Sequence, residues 1–342
     1  AIYCAQKALA LTPNNSNVLC IYGECLEMIG DMVNAELYLT RAIKLDPKCA
    51  SAYISRANVR MHSNRNNEAL EDLLESKKLA PNAVNSYTNL GIIYNSLKRY
   101  EDAENALNKA ATINPNECQI AYIKGDTRKG QGQFAEAESL YKKAVAIAPQ
   151  DYKIQLKLGK FYWLTGKTDL ALQCFNKAAE LAPTEFAAAI SLGDFHFWLR
   201  NYGIAGPAYD KALQLKPRDL NANIKRAIAY LRTGQKQEGA KYFAIARSAS
   251  KNPAEFDLEI SDSYKNAGYI QDAIQVVNQA VAAAPQSAKN YAQRATLLTL
   301  NSDFETALED WEKAISLDPK NIYYLKGKAR LLADTGRNRE AE

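Results

Sequence analysis

Small and large apolar positions recur along this chain with a period of 34 residues, and the prolines mark the period. They stand at Pro13, Pro47, Pro81, Pro115, Pro149, Pro183, Pro217, Pro253, Pro285 and Pro319, spaced by 34 six times and then by 36, 32 and 34. A period in the range of about 20–50 residues marks a stack of repeated units rather than one globule. With this proline counted as position 32, three positions carry only small residues. Position 8 reads Gly23, Ala57, Gly91, Gly125, Gly159, Gly193, Ala227, Ser261, Ala295 and Ala329. Position 20 is alanine from Ala35 to Ala341 except at Gly239, and position 27 is alanine except at Ser76. Position 24 is large: Leu39, Leu73, Leu107, Tyr141, Phe175, Tyr209, Phe243, Val277 and Trp311.

Helix packing explains the pattern. Two antiparallel helices approach closely only where a side chain is nearly absent. Positions 8 and 20 therefore join a first helix (A) to a second (B), and position 27 lets B meet the next A. Proline at 32 closes helix B, because it has no N–H and pushes the preceding residue out of the helical region. The A–B turn falls near position 15, with glycine at Gly30, Gly132, Gly166, Gly234, Gly268 and Gly336. Glycine takes the left-handed conformation that closes a helix.

Tyr87, Leu90-Gly91, Tyr94, Ala103, Leu107, Ala110 and Pro115 together resemble the tetratricopeptide repeat signature. The resemblance spans essentially the whole chain. It implies an all-α fold, an α-α superhelix: a right-handed solenoid of antiparallel helix pairs in 34-residue repeats. The expected organisation is a single array over 1–342, with helix B of a truncated repeat (1–15), nine full repeats (16–321), and a further helix A with the start of the next B (322–342). Arg339-Glu340-Ala341-Glu342 reads as that start, so a piece of a longer array is expected.

Three departures carry expectations of their own. Pro253 is two places late while the small positions keep step, which predicts a slightly longer helix B before it. Gly206-Pro207 predicts a frayed or bent start to another helix B. Basic residues occupy position 7 (Arg56, Lys124, Arg226, Arg294, Lys328) and position 11 (Arg60, Arg128). They are expected to pack their stems and hold their heads in water, or to reach a partner.

The family resemblance implies that A helices line a concave face through positions 2, 5, 9, 12 and 13, with 6 nearby, and bind extended peptides or helices. Its N-terminal third would show Asn17, Glu24, Ser51, Asn58, Asn85, Thr88 and Asn89, and its C-terminal third Glu255, Glu259, Asp262, Lys265, Lys289 and Lys326. The middle is the chosen site: Tyr122, Asp126, Lys157, Lys160, Trp163, Asp194, Phe197, Trp198, Lys225 and Arg232. Two tryptophans beside lysines suit an acidic segment with apolar anchors, since Trp is a frequent hot-spot residue and ammonium groups attract carboxylates. The chaperone-type carboxylate clamp of the family is matched only at Asn58 and Asn89, with Ile54, Gln119 and Ile123 at its other places. The asparagine ladder of sugar-transferase members is reduced to Asn89.

Composition narrows the function. Apolar residues make up 47% and charged residues 24%, too apolar for disorder, and a net charge of +5 over 342 residues is a weak bias. No apolar run reaches the roughly 18–20 residues of a membrane span. Six cysteines without a CxxC pair read as free thiols in a cytoplasmic or other reducing compartment. His62 and His196 stand far apart, so no metal and no cofactor are expected, and no phosphate loop or nucleophile elbow is present. The expected function is a non-enzymatic scaffold that binds other proteins within a multiprotein complex. The alternative is the substrate-recruiting arm of a larger enzyme, glycosyltransferase-like for example. The third reading is an RNA-binding helical repeat.

Overall fold

A computed structural model describes residues 2–337. Among these it shows twenty α-helices and no strand. The chain divides into two compact units, Ala1–Leu181 and Ala182–Glu342. The first holds α1 (Ile2–Leu11), α2 (Ser16–Ile29), α3 (Met32–Leu45), α4 (Ala50–His62), α5 (Asn66–Leu79), α6 (Val84–Ser96), α7 (Tyr100–Ile113), α8 (Cys118–Gly130), α9 (Phe134–Ile147), α10 (Tyr152–Leu164) and α11 (Thr168–Leu181). The second holds α12 (Phe186–Trp198), α13 (Tyr202–Leu215), α14 (Leu220–Arg232), α15 (Lys236–Ala249), α16 (Pro253–Asn266), α17 (Ile270–Ala283), α18 (Ala288–Leu300), α19 (Phe304–Leu317) and α20 (Ile322–Asp334). Even-numbered helices are A and odd-numbered ones B. Within each unit, an A helix packs on its own B, and B on the next A. The expected helix start at Arg339–Glu342 lies outside the described residues.

The core is the small–large register made solid. Position 24 is buried throughout, from Leu39 and Leu73 to Tyr209 and Trp311. Fully burying such a side chain stabilises by about 1.5–3 kcal/mol. It fits because position 8 opposite is small. A Cβ on Gly91 would come within 2.6 Å of Leu107, and one on Gly193 within 2.9 Å of Tyr209. At position 27 helix B meets the next A: Ser76 and Ser86 share a buried hydroxyl–hydroxyl bond of 2.8 Å, and Asn290 Nδ2 donates to the Ala280 carbonyl at 2.8 Å.

Every A–B turn uses one device. Position 15 is left-handed in all ten turns: the six glycines lie at φ 73–89°, and Asn64, Lys98, Arg200 and Ser302 at φ 57–63°. The next N–H donates back to the carbonyl five residues earlier, as from Asp31 to Leu26 and Arg99 to Tyr94. That is the Schellman closure of a helix.

Two sequence expectations are corrected. Helix α15 is no longer than its fellows and ends at Ala249, in register with Leu215 and Ala283. Pro253 does not stop it; Pro253 opens α16, where a missing N–H leaves no bond unmade, and Asn252 caps that helix by accepting from the Glu255 N–H. The same repeat buries Asp257, which Arg247 holds with bonds of 2.6 and 2.9 Å. Helix α13 is not frayed at its start. It begins at Tyr202, as in the other repeats, and runs through Pro207. Burial of Ala205, Ala208 and Tyr209 on both sides of the proline carries the helix past it. Gly206 has a separate reason: a Cβ there would sit 2.0 Å from the Arg226 guanidinium.

The basic residues at position 7 keep their heads against neighbouring helices, Arg226 buried and Arg56, Lys124, Arg294 and Lys328 half-buried. They stitch helices. Arg56 pairs with Asp72 at 2.6 Å and donates to Thr40 at 3.2 Å, while Arg294 pairs with Asp310 at 2.7 Å and donates to Asn278 at 3.0 Å. Each therefore links its own B helix to the preceding one. Arg226, Lys124 and Lys328 bind through Asp210, Asn108 and Glu312 of the preceding B helix. At position 11, Arg60 reaches Glu36 and Asp72, and Arg128 reaches Glu104.

Candidate functional site

The chosen residues fall in two sets, one in each unit, and each set is described by itself. In the first unit, α8 carries Tyr122 and Asp126, and α10 carries Lys157, Lys160 and Trp163. The Tyr141 hydroxyl donates to Asp126 at 2.6 Å, Lys129 pairs with Asp126 at 2.6 Å, and Lys157 stands 3.7 Å away. The Lys157 ammonium also lies 5.2 Å from the Tyr122 ring centre. Burial, reinforced by the Asp126 charge, pushes the Tyr141 hydroxyl far above its ordinary pKa, so it remains a donor. Trp163 is half-buried and edge-on to Phe175, 6.1 Å between ring centres. Lys160 is exposed and makes no ion pair among the described residues.

In the second unit, α12 carries Asp194, Phe197 and Trp198, and α14 carries Lys225 and Arg232. Tyr209 donates to Asp194 at 3.0 Å, and Lys225 does so at 2.7 Å. This is the arrangement of Asp126, Tyr141 and Lys157 again, at the same repeat positions. Phe197 packs edge-on against Tyr202 and Tyr209. Trp198 stacks on Phe195 and stays 53% exposed. Arg232 is exposed and makes no ion pair among the described residues.

A rule connects these contacts. Position 9 of one A helix reaches position 6 of the next: Ser55 donates to Glu24 at 2.7 Å, Asn89 to Asn58 at 2.8 Å, and Lys225 to Asp194. Of the two amides that match the clamp pattern, Asn89 thus spends a donor on the Asn58 carbonyl oxygen. Lys157 and Lys225 already have carboxylates, so the bases open to an incoming acid are Lys160 and Arg232. Thr88, expected on this face, is buried, with its hydroxyl donating to the Val84 carbonyl.

A cleft of about 570 Å³ opens on the A-helix face between α2, α4 and α6. Glu24, Ser51, Asn58 and Asn85 line it, as placed from the sequence, together with Glu27, Met28, Met32, Ile54, Ser55 and His62. Glu27 and Met28 were missed, although they occupy positions 12 and 13, the positions that singled out Trp163 and Trp198. A second cleft of about 430 Å³ lies between α18, α19 and α20, with Trp311, Tyr323, Lys326 and Arg330 on its walls.

The six cysteines are free, and burial pushes Cys20 up to about 12 and Cys174 up to about 11, which keeps both protonated. Among the described residues no group of three or more His, Cys, Asp or Glu could hold a metal ion, and no helix is long and apolar enough to cross a membrane.

Family models described as tetratricopeptide repeat match residues 84–117, 129–193, 190–253 and 224–288. The chain belongs to the tetratricopeptide repeat family. Its fold class is the all-α, α-α superhelix of that family. This tetratricopeptide chain is similar to Anaphase-promoting complex subunit 3 of Schizosaccharomyces pombe, with 31% identity over 94 residues. The match takes in 28% of the chain and 14% of that relative's length. Among solved structures it is similar to a thermophilic tetratricopeptide protein of Thermus thermophilus, with a TM-score of 0.51 and 23% identity over 53% of this chain and 99% of that one. It is also similar to the APC/C hetero-tetramer Cut9-Hcn1, with a TM-score of 0.51 and 15% identity over 92% of this chain and 63% of that one. Identities this low speak for the fold alone.

Proposed function

We propose that this tetratricopeptide chain is a non-enzymatic scaffold that holds segments of other proteins against its A-helix faces, as one subunit of a multiprotein assembly. The observation that carries this reading is the state of those faces. Ion pairs between A-helix bases and B-helix acids stitch neighbours together, and the A-helix faces still keep clefts and exposed side chains, Lys160 at position 9 and Trp198 and Arg232 at position 13. The relative named above is itself a complex subunit, which agrees with it. Free thiols suit a reducing compartment.

Within this reading, Trp163 with Lys160, and separately Trp198 with Arg232, receive acidic segments with apolar anchors. In each set the tryptophan supplies apolar area and the A-helix base supplies charge. Binding of the co-purifying partner to the Lys160→Glu/Trp163→Ala variant tests the first set. A loss of at least tenfold in affinity is expected, and unchanged affinity removes that set from the binding face.

A further inference from the structure

The cleft between α2, α4 and α6 differs in charge from the faces just described. Among the described residues no lysine or arginine lines it, and its two carboxylates lie one turn apart on α2. Among the described residues Glu24 accepts only from neutral donors, the Ser55 hydroxyl at 2.7 Å and the Cys20 thiol at 3.6 Å. Glu27 keeps 17% of its side chain exposed and faces the His62 imidazole, Nδ1 to Oε1 3.4 Å. Burial raises the Glu27 pKa; His62 offsets part of the rise and the Glu24 charge adds to it. The neighbouring guanidinium groups are engaged elsewhere, Arg56 and Arg60 on Asp72 and Arg65 on Glu36.

The remaining walls mix the polar Ser51, Ser55, Asn58, His62 and Asn85 with three apolar side chains. Met28 is 83% exposed, and Met32 and Ile54 are half-buried. Methionine is unbranched and polarizable, and it repacks around aliphatic side chains of varied shape. A volume of about 570 Å³ is ample for one long side chain with an apolar neighbour.

We propose that this cleft receives a cationic protein segment, one that sets a lysine or arginine between Glu24 and Glu27 and an aliphatic neighbour against Met28, Met32 and Ile54. The inference deepens the scaffold reading and rests on it. It gives the N-terminal cleft a partner of opposite charge to the one assigned to Lys160 and Trp163. A bidentate or multidentate bond from the incoming base neutralises two carboxylates that now repel each other, which is the source of selectivity.

The test is selection of random twelve-residue peptides, displayed on phage, against the whole 342-residue chain. Synthetic copies of those recovered are then measured by fluorescence anisotropy. The expected peptides place Lys or Arg beside Leu, Ile or Met. Their affinity falls at least tenfold in Glu24→Gln/Glu27→Gln and in Met28→Lys, whose site is open enough for any side chain. It is unchanged in Lys160→Glu/Trp163→Ala. Recovered peptides without a base overturn the proposal, as does affinity indifferent to the Gln pair in a variant whose thermal melt matches the parent. If such peptides instead lose affinity in Lys160→Glu/Trp163→Ala, the scaffold reading stands and the cleft assignment fails. If no peptide binds any variant or the parent, both fail.

Discussion

The ten A–B turns offer a controlled experiment on backbone conformation. Each requires a left-handed residue at position 15, six being glycine and four not. For an L-residue that conformation costs roughly 1–2 kcal/mol, through the approach of Cβ to the following carbonyl. Nothing else interferes: a Cβ on Gly30, Gly132, Gly166, Gly234, Gly268 or Gly336 would meet no atom within 4 Å. The non-glycine residues sit at φ 57–63°, inside the narrow allowed island, whereas the glycines lie beyond it at φ 73–89°. Gly166→Ala therefore adds the full left-handed penalty. Against it stands about 0.4–1 kcal/mol from the reduced freedom of the unfolded chain, leaving a net loss of about 1 kcal/mol. Lys98→Gly reverses both terms and comes out between neutral and about 1 kcal/mol stabilising. Asn64→Gly gains less, because asparagine tolerates this region. Urea unfolding followed by circular dichroism at 222 nm reads the order of midpoints: Lys98→Gly at or above the parent, Gly166→Ala below it. A neutral Gly166→Ala together with a destabilised Lys98→Gly would refute the backbone argument, since side-chain contacts would then be governing the turns.

Two further outcomes follow from buried charge. Asp72, 3% exposed, accepts from both Arg56 and Arg60, so Asp72→Ala leaves Arg56 without a carboxylate and Arg60 with Glu36 alone at close range, and is expected to cost about 2–4 kcal/mol in urea unfolding. Arg56→Met/Arg60→Met/Asp72→Leu should recover most of that loss, and equal losses in the two variants would show that the ions are incidental. Burial holds the His196 pKa below the ordinary imidazole value of 6.5, and its Nδ1 has no hydrogen-bond partner among the described residues. The unfolded chain therefore takes up the proton first. The stability from neutral His196 is complete above pH 6.5 and is lost as pH falls through the folded-state pKa. Chemical denaturation of His196→Leu from pH 7.5 to 5 should show a shallower decline than the parent, and parallel declines would place the titration elsewhere.

Periodicity alone made the helix pairs legible. Residues small enough for helix contact must return every 34 positions, and a side chain as large as Tyr141 or Trp311 fits only opposite them. Six of the ten turns were readable because glycine announces a left-handed residue; Lys98, Arg200 and Ser302 announce nothing, and the shared fold imposes the conformation on them. Pro253 was misread because one residue type can end a helix or begin one, and only the position of the helix ends tells which. The charged residues were the least legible. Arg56 pairs sixteen residues ahead with Asp72, and Lys157 pairs thirty-one residues back with Asp126. Both separations are set by how helices stack, not by the local pattern. The sequence by itself determined which small and large apolar positions are buried, since these follow the 34-residue register, whereas the burial of Thr88 and Asp257 was not legible in it. Tertiary structure decided which charges are paired, because an ion pair needs two groups that the chain brings together only after its helices pack.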